Sequence, residues 1–176
     1  MSALVVTLIG PDRPGVVRAV SDKAAEHGAN WTDSVMANFA GQFAGIVHLQ
    51  VADENCDALA AALRAIDSDD LHILVAKAND ATPTSRPRRI SLELIGHDRP
   101  GIIRAISTRL AEHQVSIDKM KTHIASGAMS GEQMFHLAAE LTVPFELDTV
   151  DLRDGLEGLA NELMVDITFD SHALDT

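Results

Sequence analysis

The chain contains one stretch twice: Leu8-Ile9-Gly10-Pro11-Asp12-Arg13-Pro14-Gly15-Val16-Val17-Arg18 returns as Leu94-Ile95-Gly96-His97-Asp98-Arg99-Pro100-Gly101-Ile102-Ile103-Arg104. Apolar residues alternate before the first glycine of each copy, as in a half-buried strand. After the second glycine they recur at helical spacing. Each copy therefore predicts a strand, a tight turn with the sequence Asp-Arg-Pro-Gly, and a helix.

Helix capping explains part of this repeated turn. Pro14 and Pro100 are predicted at the first helical position, where the missing N–H of proline is no loss. Asp12 and Asp98 are predicted to accept hydrogen bonds from free N–H groups at the helix start, where the helix dipole also favours negative charge. A helix start that is capped by its own residues, without any ligand, would therefore explain the proline and the aspartate of the motif.

The second glycine of each turn is not required by capping and suggests a binding site. Gly15 and Gly101 are predicted at the second helical position, where alanine would be more stable. Without side chains there, the backbone N–H groups of each glycine and of the following Val16 or Ile102 stay open to a carboxylate or phosphate. A ligand carboxylate at these groups and a ligand ammonium at the nearby aspartate together describe a small amino acid.

The periodicity of the whole chain gives the order βαββαβ twice. This order predicts an α+β fold of two ferredoxin-like domains in tandem, each with a four-stranded antiparallel sheet and both helices on one face. In the first copy the helices are predicted over residues 14–27 and 55–66. The domains are predicted at residues 1–80 and 89–176, with a linker over residues 81–88.

The sheet face away from the helices is predicted to be apolar in the first domain, where it carries Val5, Thr7 and Ile9. An exposed apolar face of this kind is usually covered. We therefore expect this face to pack against another surface or to form a homodimer.

Composition narrows the class of protein. The net charge of −12 disfavours direct binding to nucleic acid, and the one basic cluster, Arg86, Arg88 and Arg89, is expected to serve solubility. The single cysteine, Cys56, cannot form an internal disulfide. No signal peptide or membrane-length apolar run is apparent, so we expect a cytoplasmic protein.

The sequence contains no recognisable catalytic or metal-binding motif. None of the eight histidines has His-x-x-x-His or His-x-His spacing. His27 and His113 are expected at helix C-termini, where they favour the dipole. Cys56 lies between Glu54 and Asp57, and negative neighbours disfavour a thiolate nucleophile. We expect a protein that is not an enzyme and that binds no metal and no cofactor.

The repeated Gly-x-Asp-Arg-Pro-Gly turn inside a βαββαβ unit resembles the ACT domain, a regulatory module that binds small molecules. Two such units with a short linker resemble the glycine cleavage system transcriptional repressor family. Similar ACT copies are also attached to formyltetrahydrofolate hydrolases and phosphoserine phosphatases. The chain is too short to hold either of those catalytic domains as well.

This resemblance implies that an amino acid binds between two ACT units, held by the turn of one unit and by the second strand of its neighbour. In the first copy the implied residues are Asp12, Arg13, Pro14, Gly15 and Val16 in the turn, with Asn30, Thr32 and Ser34 in the strand. In the second copy they are His97, Asp98, Arg99, Pro100, Gly101 and Ile102, with Ser116, Asp118 and Met120. For the two arginines, contact with the ligand anion and simple exposure to solvent both remain open.

The sequence therefore predicts a regulatory protein that binds a small amino acid, glycine or similar, and acts through contact with another protein. The resemblance implies a transcription activator as that partner, in the regulation of amino-acid metabolism. The alternative is a regulatory subunit that gives feedback control of a metabolic enzyme in trans.

Overall fold

Each half of the chain folds into one four-stranded antiparallel sheet with two helices, which confirms the predicted α+β, ferredoxin-like architecture. The computed structural model describes residues 1–78, 88–126 and 132–170. The first unit consists of β1 (Ser2–Pro11), α1 (Val16–Glu26), β2 (Asn30–Phe39), β3 (Gln42–Val51), α2 (Asp53–Arg64) and β4 (His72–Lys77). The second consists of β5 (Arg88–His97), α3 (Ile102–Glu112), β6 (Ser116–Ser126), β7 (Gln133–Val143), α4 (Thr149–Leu163) and β8 (Val165–Asp170).

The strand order is the same in the two sheets, β2-β3-β1-β4 and β6-β7-β5-β8. The strand of each repeated stretch is therefore central, and β2 and β6 are edge strands. Most of the predicted linker lies outside the described residues. Arg88, which was predicted in that linker, is instead the first residue of β5.

Alternation along the central strands builds both cores. Leu4, Val6 and Leu8 are fully buried on the helix side of β1, as the period-two pattern predicts. They pack with α1 and α2 in a core without buried polar side chains among the described residues. Full burial of one such aliphatic side chain contributes roughly 1.5–3 kcal/mol to folding. Cys56 is buried in this core as a small apolar residue.

The outer face of the first sheet is apolar, as predicted. Thr7 pairs with Ile46 on one side and with Leu74 on the other, and Ile46 pairs with Val35. Ile46 is 52% exposed and Leu74 is 74% exposed. The matching row of the second sheet instead carries Glu93 and Lys121. The two outer faces have therefore diverged, although the folds beneath them match.

The helix after each repeated turn begins later than predicted. Helices α1 and α3 start at Val16 and Ile102, so the prolines lie outside the helix and the glycines are N-cap residues. Gly15 has φ 100° and ψ −8°, and Gly101 has φ 100° and ψ −9°. These angles belong to the third residue of a type II turn, which favours proline at its second position and glycine at its third.

The predicted positions of Pro14, Gly15, Pro100 and Gly101 are therefore wrong. A Cβ atom built on Gly15 or Gly101 would meet nothing within 4 Å. The positive φ, which L-residues rarely adopt, is what requires glycine there, not a lack of space.

The first glycine of each repeated stretch is required for a different reason. A Cβ atom on Gly10 would lie 2.5 Å from the carbonyl oxygen of Asp70, and one on Gly96 would lie 2.8 Å from Cβ of Val165. The chain that enters the last strand of each unit passes directly against these glycines. The repeated motif thus has two glycines that the fold itself needs.

Replacing the N-cap glycines should destabilise each unit separately. Gly15→Ala is expected to lower the free energy of unfolding by about 1–3 kcal/mol, because alanine is strained at this φ. Trp31, the only tryptophan, packs against the first core, so its fluorescence in a urea titration follows the first unit.

Gly158→Ala is the matched control. Gly158 lies inside α4 with open space around it, so alanine should stabilise the second unit by about 0.5–1 kcal/mol. Because Trp31 reports on the first unit, circular dichroism in the same urea titration follows the second unit, and the Trp31 transition should stay unchanged. An unchanged urea midpoint for Gly15→Ala would contradict the conformational explanation of this glycine.

Candidate functional site

The helix that follows each repeated turn starts without a side-chain cap. The first helical hydrogen bonds run from the N–H of Ala19 to the oxygen of Gly15 and from the N–H of Ala105 to the oxygen of Gly101, each at 2.9 Å. The prediction that Asp12 and Asp98 cap these helices is therefore wrong. Within the described residues, no side chain caps the N–H groups of the first helical turn, which is the arrangement that accepts an anion.

The aspartates of the two turns have different surroundings. In the first unit, the amide Nδ2 of Asn38 donates to Oδ2 of Asp12 at 2.6 Å. Asn38 pairs with Phe43 at the end of β2, and in the second unit Ile124 pairs with the corresponding Phe135. No side chain in the described part of the protein donates to the Asp98 carboxylate, because isoleucine stands where the asparagine would be.

The backbone holds both aspartates in the same place. The N–H of Asp12 donates to the oxygen of Gly41 at 3.1 Å, and the N–H of Asp98 donates to the oxygen of Gln133 at 2.9 Å. Each bond ties the turn to the beginning of the hairpin's return strand. The two turns are thus matched in backbone and differ in the side chain that meets the carboxylate.

The arginines of the turns reach across to the segment that precedes the last strand of their own unit, a loop residue in the first unit and the end of α4 in the second. Nη1 of Arg13 lies 3.8 Å from Oδ2 of Asp70, and Nη2 of Arg99 lies 3.5 Å from the carbonyl oxygen of Glu162. Both contacts are long and solvent-exposed, so a stronger anion could replace them. Nδ1 of His97 lies 3.5 Å from Oε2 of Glu132 beside the second turn.

The predicted strand residues all lie exposed on the edge strands β2 and β6. Both strands carry a register shift at the same place, between Trp31 and Asp33 and between Ile117 and Lys119. Thr32 and Asp118 are therefore the extra residues of two equivalent β-bulges. Strict alternation would place Asn30 and Ser34 on one face, but the bulge between them turns the two side chains to opposite faces.

Both bulge residues are fixed by the neighbouring strand. The hydroxyl of Thr32 donates to the carbonyl oxygen of His48 at 3.1 Å and also lies against Nδ1 of that histidine. In the second unit the hydroxyl of Thr142 donates to Oδ2 of Asp118 at 2.6 Å. Sequence reasoning found these two positions as polar strand residues and missed that they are bulges.

The predicted strand residues lie far from the turn of their own unit. Asn30 pairs with Gln50, which pairs with Ala3, so it lies level with the start of β1. The turn follows Pro11 at the other end of that strand, roughly 27 Å away at about 3.4 Å per residue. Asn30 and Asp12 of one unit therefore cannot share one small ligand.

A groove that the sequence did not predict adjoins the second turn. It has a volume of about 330 Å³ and runs between α3 and α4 from Gly101, with Arg104, Thr108, Arg109 and Glu162 along its walls. Helical spacing of these residues along α3 was visible in the sequence, but the separation of the two helices was not.

The described ranges contain no cluster of three or more histidine, cysteine, aspartate or glutamate side chains suited to a metal ion. No helix among these residues has the length and apolarity needed to cross a membrane.

Each half of the chain matches a known domain family. Residues 2–75 and residues 90–141 each match an ACT domain family. The chain belongs to the ACT-domain proteins and carries two ACT domains in tandem.

The chain is also similar, along most of its length, to individual proteins. Over 162 residues the chain is 22% identical to the glycine cleavage system transcriptional repressor of Escherichia coli K12, covering 91% of this chain and 85% of that protein. A crystal structure of an unknown protein from Galdieria sulphuraria superposes with a TM-score of 0.80 at 27% identity, over 98% of this chain and 99% of that one. A protein proposed to be a glycine cleavage system transcriptional repressor has the same fold, with a TM-score of 0.72 at 18% identity and 98% coverage of both chains.

The contact between Asn38 and Asp12 can be tested directly. Asn38→Ala should lower the stability of the first unit by about 0.5–1.5 kcal/mol, because it removes one hydrogen bond to a carboxylate. Urea unfolding followed by Trp31 fluorescence measures this. Asn30→Ala on the same strand is the control, since the side-chain amide of Asn30 forms no hydrogen bond within the described residues. Equal losses in the two variants would contradict a specific Asn38–Asp12 contact.

Proposed function

We propose that this protein is a cytoplasmic regulator that binds a small amino acid, glycine or similar, and passes the signal on through contact with another protein. The partner in this proposal is a transcription activator in amino-acid metabolism. The 22% identity to a glycine cleavage system transcriptional repressor supports this direction.

The observation that carries the proposal is a helix start without a side-chain cap beside an aspartate, present twice. An α-carboxylate meets the free N–H groups and the positive end of the helix dipole. An α-ammonium meets the aspartate. A ligand with only these two groups satisfies the site, which is the chemistry of a small amino acid.

The second turn is the better of the two sites. Its aspartate, Asp98, carries no hydrogen bond from another described side chain, whereas Asp12 is already bonded to Asn38. A ligand ammonium at Asp12 would compete with that amide. The second turn also opens into the groove along α3, which starts at Gly101.

The remaining proposed ligand contacts follow the family resemblance. In this proposal the edge strand of a neighbouring unit completes each site, and the long distance between the strand residues and the turn of one unit supports this. The proposed contacts in the turns are Asp12, Arg13, Pro14, Gly15, Val16, His97, Asp98, Arg99, Pro100, Gly101 and Ile102. Those on the edge strands are Asn30, Ser34, Ser116 and Asp118.

A protein partner suits the surface better than nucleic acid does. The net charge of −12 opposes a phosphate backbone, and the outer face of the first sheet is apolar. This apolar face also supports a homodimer. Regulation then requires that the amino acid bind one arrangement of the protein more tightly than another.

Calorimetric titration with a panel of amino acids tests ligand binding. We expect Asp98→Asn to weaken binding of the best ligand by about tenfold or more, which corresponds to about 1.4 kcal/mol. Asp12→Asn is the matched control and should weaken binding less. No heat of binding from any amino acid at millimolar concentration would overturn the proposal, and a larger effect at Asp12 would overturn the assignment to the second turn.

The second candidate, a regulatory subunit of a metabolic enzyme, has the same ligand chemistry. Affinity purification from the native host with and without the bound amino acid distinguishes the two. Recovery of a transcription factor supports the first candidate, and recovery of a biosynthetic enzyme supports the second.

A further inference from the structure

Two histidines lie side by side on the outer face of the second sheet. His123 on the edge strand β6 pairs directly with His136 on β7. Their ring centroids are 4.6 Å apart and the ring planes differ by only 9°. Directly paired residues on antiparallel strands project to the same face, so both imidazoles stand together above the sheet.

The fold does not need these imidazoles. The equivalent cross-strand pair in the first unit is Ala37 with Ala44. The same strands, hairpin and helices therefore form with two methyl groups at this position. The imidazole pair is a property of the second unit alone, and its role lies outside the folding of the sheet.

We propose that His123 and His136 form a two-histidine binding site for a divalent first-row transition ion of the Cu²⁺, Ni²⁺ or Zn²⁺ class. Neutral imidazole is a favoured ligand of all three ions. The site supplies two protein ligands, because no cluster of three or more suitable side chains occurs in the described ranges. Water completes the coordination, so the bound ion keeps positions that an external ligand can take.

Both imidazoles must turn to bind one ion. With metal–nitrogen bonds of about 2.0–2.1 Å, two ligating nitrogens lie roughly 3.3 Å apart in a tetrahedral site and point at the ion from different directions. The ring centroids are 4.6 Å apart and the ring planes are nearly parallel, so the rings have to rotate toward each other about χ1 and χ2. His123 is exposed and His136 is half-buried, so both rings have room to tilt their nitrogens toward one ion.

Charges of both signs surround the pair. Ile95 pairs with His136 and, on its other side, with Asp166, which places a carboxylate in the same cross-strand row. Glu93 and Lys121 occupy the next row on this face. The two carboxylates and the acidic chain as a whole attract a cation, while the single flexible lysine can extend into solvent.

The test uses the full chain, prepared without a histidine tag, and titrates it with Zn²⁺ or Cu²⁺ alone by calorimetry. We expect one equivalent to bind, and His123→Gln and His136→Gln each to weaken binding by about tenfold or more, because each removes one of two ligands. His72→Gln, at an exposed histidine on β4, is the control and should leave the affinity unchanged. Circular dichroism without metal verifies that each variant is folded.

A variant that creates a second metal site tests the proposal by a gain of binding rather than by a loss. Ala37→His combined with Ala44→His rebuilds the pair on the first unit and should raise the stoichiometry to two equivalents. Affinity that survives in both glutamine variants, or the absence of saturable binding, would overturn the proposal. A stoichiometry of one in the double variant would overturn the argument that this cross-strand register makes the site.

Discussion

The positive φ at Gly15 and Gly101 is the constraint on which the rest of each unit depends. The central strand must reverse into a helix that packs back on the same sheet, and a type II turn makes this connection within a few residues. The turn places the helix start at the sheet end with its first N–H groups open. The proposed anion site is therefore a direct result of this short connection, and the residues that build the connection also build the site.

Duplication has preserved this backbone and has let the side chains around it diverge. Asp12 and Asp98 have the same backbone bond, yet one carboxylate meets an amide and the other does not. The outer sheet faces differ in the same way, apolar in the first unit and charged in the second. The first turn thus keeps the backbone of the proposed site, while the second turn also keeps an aspartate carboxylate that no described side chain occupies.

Much of the fold follows from the sequence because its patterns are local. Alternation predicted the buried face of β1, and the periodicity of the whole chain predicted the βαββαβ order that both units have. The helix start was misplaced because proline followed by glycine suits two local structures, and only the backbone angles distinguish them. The Asp12–Asn38 contact joins residues 26 positions apart, and no local pattern signals it. The bulges at Thr32 and Asp118 were missed for a related reason, since an extra strand residue shows only against its partner strand.

The two bulges also bear on how this protein avoids unwanted self-assembly. Each sheet ends in a long edge strand whose outward backbone groups could template the addition of further strands. The first of these edges has no lysine, arginine or proline to discourage such growth. A bulge breaks the regular spacing of its free hydrogen-bonding groups, so an incoming flat strand cannot stay in register along its full length. The bulges of β2 and β6 thus act against open-ended pairing at two edges that the sequence otherwise leaves long.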